Sequence, residues 1–261
     1  MGDFCYLYGR MKSRDIQMPI EKYIGVDGCK AGWFFSAIGP DDNVEIGIFE
    51  TIENLWQTYS EAKWILIDIP IGLPSKEVET RQCDKTARQV LSPKRHSSIF
   101  SPPCREALEA DNYPEACRIN RNVCGRKISK QVWHISRKIK EVDDLIAAHS
   151  MAQMKMREAH PEICFWALAG KNPMAHYKKS PEGLAERFAV LRNYFGQSPT
   201  VVKTALDRFP RKQLARDDIH DALVNAVTAA RLDISMETLP SEPEPIRDML
   251  GIPMQMVYSP G

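Results

Sequence analysis

The 261-residue chain has no run approaching the roughly 18 consecutive apolar residues of a membrane-spanning helix, so no membrane partner is expected. Its opening segment, MGDFCYLYGRMKSRDIQMPIEKY, lacks the continuous apolar core of a signal peptide, which makes the cytoplasm the expected compartment. The cysteines (Cys5, Cys29, Cys83, Cys104, Cys117, Cys124 and Cys164) are odd in number and include no CxxC pair. Neither a disulfide framework nor a zinc cage is therefore indicated, and reduced thiols are expected. Internal repeats and low-complexity blocks are also missing. What is present is a 43% hydrophobic composition, enough for a sizeable core in one large domain or two modest ones.

Net charge is only +1, but it is unevenly spread. Between Lys76 and Lys140, 15 Lys and Arg stand against 7 Asp and Glu, a net of +8, and the rest of the chain carries −7. Such segregation suggests an anionic partner; a solvated basic helical surface is the plainer alternative.

Residues 1–22 show no clear periodicity, Met11 and Met18 are possible alternative starts, and the segment reads as an extension outside the fold. After it, KYIGVD, WFFSAIG and NVEIGIF are separated by short turns and predict an antiparallel three-strand meander. TIENLWQTYSEA reads as a short helix capped by Thr51, and KWILIDIPIGLP as a buried central strand. A strand, helix, strand crossover makes that strand parallel to a member of the meander, most simply the first. Residues 75–154 read as a helical insertion around the loop LSPKRHSSIFSPPC, including a helix capped by Ser129 with Val132, Ile135, Ile139, Val142 and Ile146 on one face. The core is then 23–74 together with 155–261. Within the second part, EICFWALAG reads as a strand, SPEGLAERFAVLRNYFG as a capped helix ending at Gly196, and the Pro-rich tail as a linker before a short final strand.

The helix ARDDIHDALVNAVTAARL carries three acids at its head. With Ile219, Leu223, Ala226 and Ala230 on the apolar face, Asp218 falls about 100° to one side, Asp221 about 160°, and Asp217 nearly opposite the core. Capping and the helix dipole account for acids in the first turn, and account less well for Asp221. Asp218 is thus the stronger ligand candidate, Asp221 its neighbour or supporting partner, and Asp217 a helix-start or surface charge. Asp27 ends the first strand and Asp68 lies inside an apolar run, where a carboxylate is costly unless paired, protonated or metal-bound. If these strands are neighbours, Asp27, Asp68, Asp218 and Asp221 can meet at one point. Oxygen ligands without Cys or His point to magnesium or manganese.

Taken together, GVDGCKAGW, IDIPIGLP, CDKTARQVLSPKRHSSIFSPP, ISKQVW, REAHPEICF and DDIHDAL resemble the family of predicted RNase H-like nucleases catalogued as domain of unknown function 429. The resemblance implies an α/β, RNase H-like fold: a mixed five-stranded sheet, meander plus parallel strands, flanked by helices, with a C-terminal acidic helix like that of junction resolvases. It further implies that Asp27, Asp68 and Asp218 hold two magnesium or manganese ions, with Asp221 beside them, for phosphodiester hydrolysis in nucleic acid or a nucleotide-containing small substrate. Glu158 and Glu162, of shared strand parity, offer a further acid or are surface charges on an edge strand, and His160 between them suits a structural role. Cys29 suits packing. Candidate phosphate contacts are Lys30, the loop residues Lys94, Arg95, His96, Ser97 and Ser98, and a basic wall of Arg81, Arg88, Lys130, Gln131 and Lys138. Two other functions fit parts of the pattern. VDGCKAG resembles the phosphate turn of actin-like kinases and ATPases, although only 14 glycines and no second meander or Gly-rich adenosine motif accompany it. A non-catalytic ligand-binding module, using the proline-stiffened loops as a pocket, is the other.

Overall fold

The computed structural model describes residues 21–261; the expected extension, with its alternative starts, lies outside the described residues except for its last two positions. The chain opens with the meander: β1 (Tyr23–Cys29), β2 (Gly32–Ile38) and β3 (Val44–Phe49), each antiparallel to the next. The turn into β2 needs Gly32, whose φ of +137° disfavours a side chain and whose added Cβ would lie 2.1 Å from the Phe49 carbonyl oxygen. Helix α1 (Ile52–Tyr59) starts at Thr51, whose side chain accepts the Asn54 N–H. It leads into β4 (Trp64–Ile67), which pairs parallel to β1 as the crossover predicts, with Val26 opposite Ile67.

The stretch between β4 and the next strand is helical: α2 (Gln82–Val90), α3 (Tyr113–Cys124), α4 (Lys130–Ala148) and α5 (Ser150–Lys155). Ser129 caps α4 by accepting the Val132 N–H. Strand β5 (Met156–Glu158) then adds parallel to β4, completing a sheet of order β3-β2-β1-β4-β5. EICFWALAG is not this strand. It lies in helix α6 (Pro161–Leu168), with proline in the first turn and the His160 ring accepting the Glu162 N–H. All eight residues of α6 are buried, so the segment shows no amphipathic period and imitates a core strand. Glu158 and Glu162 consequently share no strand face. Helix α7 (Pro181–Tyr194) begins at Ser180 and stops two residues before Gly196; α8 (Ser198–Arg208), which the pattern reading does not separate, precedes α9 (Arg216–Arg231). The tail does carry a short strand, β7 (Met256–Tyr258), but it pairs with β6 (Glu237–Leu239) apart from the main sheet.

Side-chain alternation divides the core. Ile24, Val26, Ile65 and Ile67 pack with Ile139, Val142 and Leu145 of α4 on one face, so part of the helical stretch closes the sheet itself. Leu66 lies on the opposite face with Phe165 of α6, Leu191 of α7, Val201 of α8 and Leu223 of α9. Helix α9 approaches β1 so closely that a Cβ on Gly25 would sit 2.0 Å from the Ala222 carbonyl oxygen. Only glycine permits that contact, which fixes the acidic end of α9 beside the ends of β1 and β4. No helix among the described residues is long and apolar enough to cross a membrane.

Candidate metal centre and its cavity

Asp27 lies near the end of β1, Asp68 directly after β4, and Asp221 in the second turn of α9. The parallel register continues past β4 through the Asp68 N–H, which donates to the Val26 carbonyl at 3.1 Å, and this sets the two strand acids side by side. Carboxylate oxygens of Asp27, Asp68 and Asp221 all lie within 4.8 Å of one another. Burial, followed by repulsion from Asp68 and Asp221, holds the Asp27 carboxyl well above its ordinary pKa. Burial and Asp221 likewise push Asp68 up to about 7, against the opposing pull of Lys178.

Asp221 has the most constrained environment of the three. Its side chain is 1% exposed, its Oδ2 accepts from Lys178 Nζ at 2.6 Å, and its Oδ1 is buried without a hydrogen-bond partner among the described residues. The ranking of the α9 acids is therefore reversed relative to the helical-wheel expectation. Asp218 stands outside the three-carboxylate group, and its Oδ2 accepts the Ala215 N–H at 3.0 Å, a helix-start contact. Burial raises its pKa to about 6. Asp217 is not a solvated surface charge either: it is 8% exposed and lies 3.7 Å from both Lys178 and Lys179. The wheel misleads because α6, α7 and α8 all pack on α9, burying sides that an amphipathic surface helix would leave wet.

The two glutamates line the cavity but are already paired. Glu158 accepts from Arg81 and from the Ile71 N–H, and Glu162 accepts from Arg187. Arg81 is fully buried and also faces Asp84 at 3.4 Å, so it belongs to the core and not to a basic wall. Arg88 donates to the Ile99 carbonyl and to Ser101 Oγ, fixing the PKRHSSIFSPP loop instead of facing the acids. Arg95, Ser97, Ser98, Gln131 and Lys138 do line the cavity with Asp27 and Asp68, whereas Lys30 and Lys130 are exposed outside it. Two Arg95 nitrogens are committed to the carbonyls of Met174 and Ala175. Lys138 donates to the Gly32 carbonyl at 2.6 Å and lies 4.1 Å from the Trp33 ring centre. His160 lines the wall as a structural group, capping α6 with one nitrogen and lying 3.4 Å from the Ser98 carbonyl with the other. Cys29 is buried in an apolar cluster, as packing requires.

Lys178, Lys179, Tyr177, Phe100 and Arg187 escape the sequence analysis. Loop residues 177–179 have no period to betray them, but one signal is readable: Gly183, a poor helix former in the first turn of α7. An added Cβ there would sit 1.9 Å from the Tyr177 carbonyl oxygen, so the glycine lets the Lys178 loop seat against the helix. Gly183→Ala is expected to shift this loop, lowering any activity of the site about tenfold or more while changing the melting temperature by only a few degrees. Turnover and a thermal melt on the same preparation check it.

A family model described as "Protein of unknown function (DUF429)" matches residues 25–245. The chain belongs to that family. The match spans Asp27, Asp68, Lys178 and Asp221, and the family description assigns no activity. No curated protein and no solved structure matches the chain.

Proposed function

We propose that the protein is a metal-dependent phosphodiester hydrolase acting on nucleic acid or a nucleotide-containing small substrate in the cytoplasm. The observation that carries the proposal is the convergence of buried Asp27 and Asp221 with half-buried Asp68 beside a cavity of about 460 Å³. Three carboxylates against the single ammonium of Lys178 leave a formal charge of −2, and Asp221 Oδ1 lacks a partner, a donor set that fits a hard divalent cation. Asp27, Asp68 and Asp221 would hold magnesium or manganese, which when bound supplies Lewis acidity toward the phosphodiester and toward the attacking water.

The chain's own residues supply the rest. Lys178 orients Asp221 through its hydrogen bond to Oδ2, and supplies a positive charge beside the carboxylates where a second ion would otherwise be needed. This charge balance supports one divalent ion with Lys178 in place, instead of the two that the family resemblance implies. Lys138 and Lys179 add positive charge to the cavity wall for the anionic substrate. The described cysteines are all buried free thiols, which supports a reducing compartment and a direct attack by water without a cysteine nucleophile. The actin-like alternative gains no support, because the second sheet among the described residues has only two strands.

Incubation of the full chain with a dinucleoside monophosphate and manganese tests the proposal: hydrolysis that a chelator abolishes is expected, and its absence with dinucleotide, single-stranded, duplex and branched substrates overturns it. Metal binding also requires the raised carboxyls to lose their protons. The increase in melting temperature caused by magnesium is therefore expected to be larger above pH 7, where Asp68 is ionised, than well below it. Thermal melts across that range with and without the ion measure this.

A further inference from the structure

The same cavity carries an aromatic feature that metal chemistry does not need. Among the described residues, the large hydrophobic side chains left exposed include two aromatics, Phe100 at 37% and Tyr177 at 60%, and both line the cavity that contains Asp27 and Asp68. Neither is among the described rings that stack on another aromatic ring or lie under a cation. Both are also presented by anchored backbone. Phe100 lies between Ile99, whose carbonyl accepts from Arg88, and Ser101, whose hydroxyl accepts from the same guanidinium. Tyr177 sits where its carbonyl accepts the Ser180 N–H and abuts Gly183. Exposed rings on anchored backbone beside cationic and carboxylate groups offer apolar faces on which a planar group can stack.

The charge distribution bears on what lies on that platform. Only part of the surface expected to track a polymer backbone is assembled: Arg95, Gln131 and Lys138 line the cavity, whereas Arg81 is in the core, Arg88 is bound to the loop, and Lys30 and Lys130 lie outside. Positive charge at the cavity is local, on Lys138, Lys178, Lys179 and Arg95, the last held by the Met174 and Ala175 carbonyls. The cavity volume of about 460 Å³ falls in the range of small-molecule sites, roughly 300–1,000 Å³.

We infer that the site selects a phosphodiester bearing an unpaired nucleobase, which stacks on Phe100 and Tyr177 while its phosphate faces the carboxylates and lysines. A base inside a duplex has both faces covered and offers no surface to these rings. The inference depends on the phosphodiesterase assignment for the reaction, but its binding half stands apart from it.

The experiment uses the full chain with four probes: a dinucleoside monophosphate, its abasic analogue, a short single strand, and that strand annealed to its complement. Affinity is measured by calorimetry with calcium, and hydrolysis separately with manganese. The dinucleotide is expected to bind about tenfold more tightly than the abasic analogue, and Phe100→Ala and Tyr177→Ala each to forfeit about that factor for the dinucleotide while leaving the abasic analogue unchanged. Both rings are exposed, and an unaltered thermal melt shows that each variant is folded. A single strand bound as well as the dinucleotide identifies an unpaired polymer as the source of the base; a weaker one identifies a free dinucleotide. Equal or tighter binding of the duplex, or ring variants that bind the dinucleotide like wild type, overturns the inference. Ring-dependent binding without hydrolysis overturns the phosphodiesterase assignment and leaves the base site standing, whereas ring-independent hydrolysis of duplex does the reverse.

Discussion

Asp68→Asn is expected to lower metal-dependent kcat/KM by about 10³-fold, equivalent to roughly 4 kcal/mol of lost transition-state stabilisation, and to make the metal-free protein more stable. The two effects share one cause. Asp68 is one of three carboxylates within 4.8 Å, and asparagine keeps its shape while removing the charge that holds the cation. Without metal that charge is unfavourable: its folded pKa is about 7 against an ordinary 3.8, because burial and Asp221 disfavour ionisation. The folded state therefore binds more protons than the unfolded chain between those values, and the metal-free protein loses stability as pH rises from about 4 to about 7. The variant does not carry this penalty, so its metal-free melting temperature exceeds that of wild type at neutral pH and above. A variant that is inactive and also less stable would indicate damage to the fold instead.

Lys178→Met has the second large effect, with the opposite sign on stability. Lys178 Nζ lies 2.6 Å from Asp221 Oδ2, and its burial-lowered pKa is overcome by Asp221, Asp27 and Asp68, so the ammonium form is strongly favoured. Removing it leaves a carboxylate with 1% exposed side chain facing Asp27 and Asp68 without compensation. Breaking a fully buried pair costs about 3–5 kcal/mol, and with Lys178 34% exposed we expect about 2 kcal/mol. The vacated positive charge is expected to be replaced by a second cation, so manganese stoichiometry rises from one to two per chain while kcat falls about 10²-fold. Denaturant melts without metal, calorimetric stoichiometry and steady-state kinetics distinguish these three consequences.

Where periodicity controls structure, the sequence was readable. The meander, the short crossover helix and the parallel placement of β4 on β1 follow from alternation, Thr51 and an unbroken apolar run. Asp27 and Asp68 stood out because a carboxylate in or beside a buried strand demands a partner. The failures have a common physical origin in helices buried on every side. Helix α6 is apolar throughout and was indistinguishable from a strand, and α9 lost its expected polar face to α6, α7 and α8. Asp221, not Asp218, consequently joins the strand acids. Pairings between residues far apart in the chain were the other blind spot. Arg81 with Glu158, Arg187 with Glu162 and Lys178 with Asp221 convert apparently free charges into internal ones, which a count of basic residues in one window does not reveal.

Binding of a divalent cation by Asp27, Asp68 and Asp221 is tested most directly by calorimetric titration of the chelator-treated full chain with manganese. One ion per chain in the wild type, with binding lost in Asp27→Asn and in Asp68→Asn, is the predicted result. No binding to the folded wild type, or binding that survives both substitutions, contradicts it.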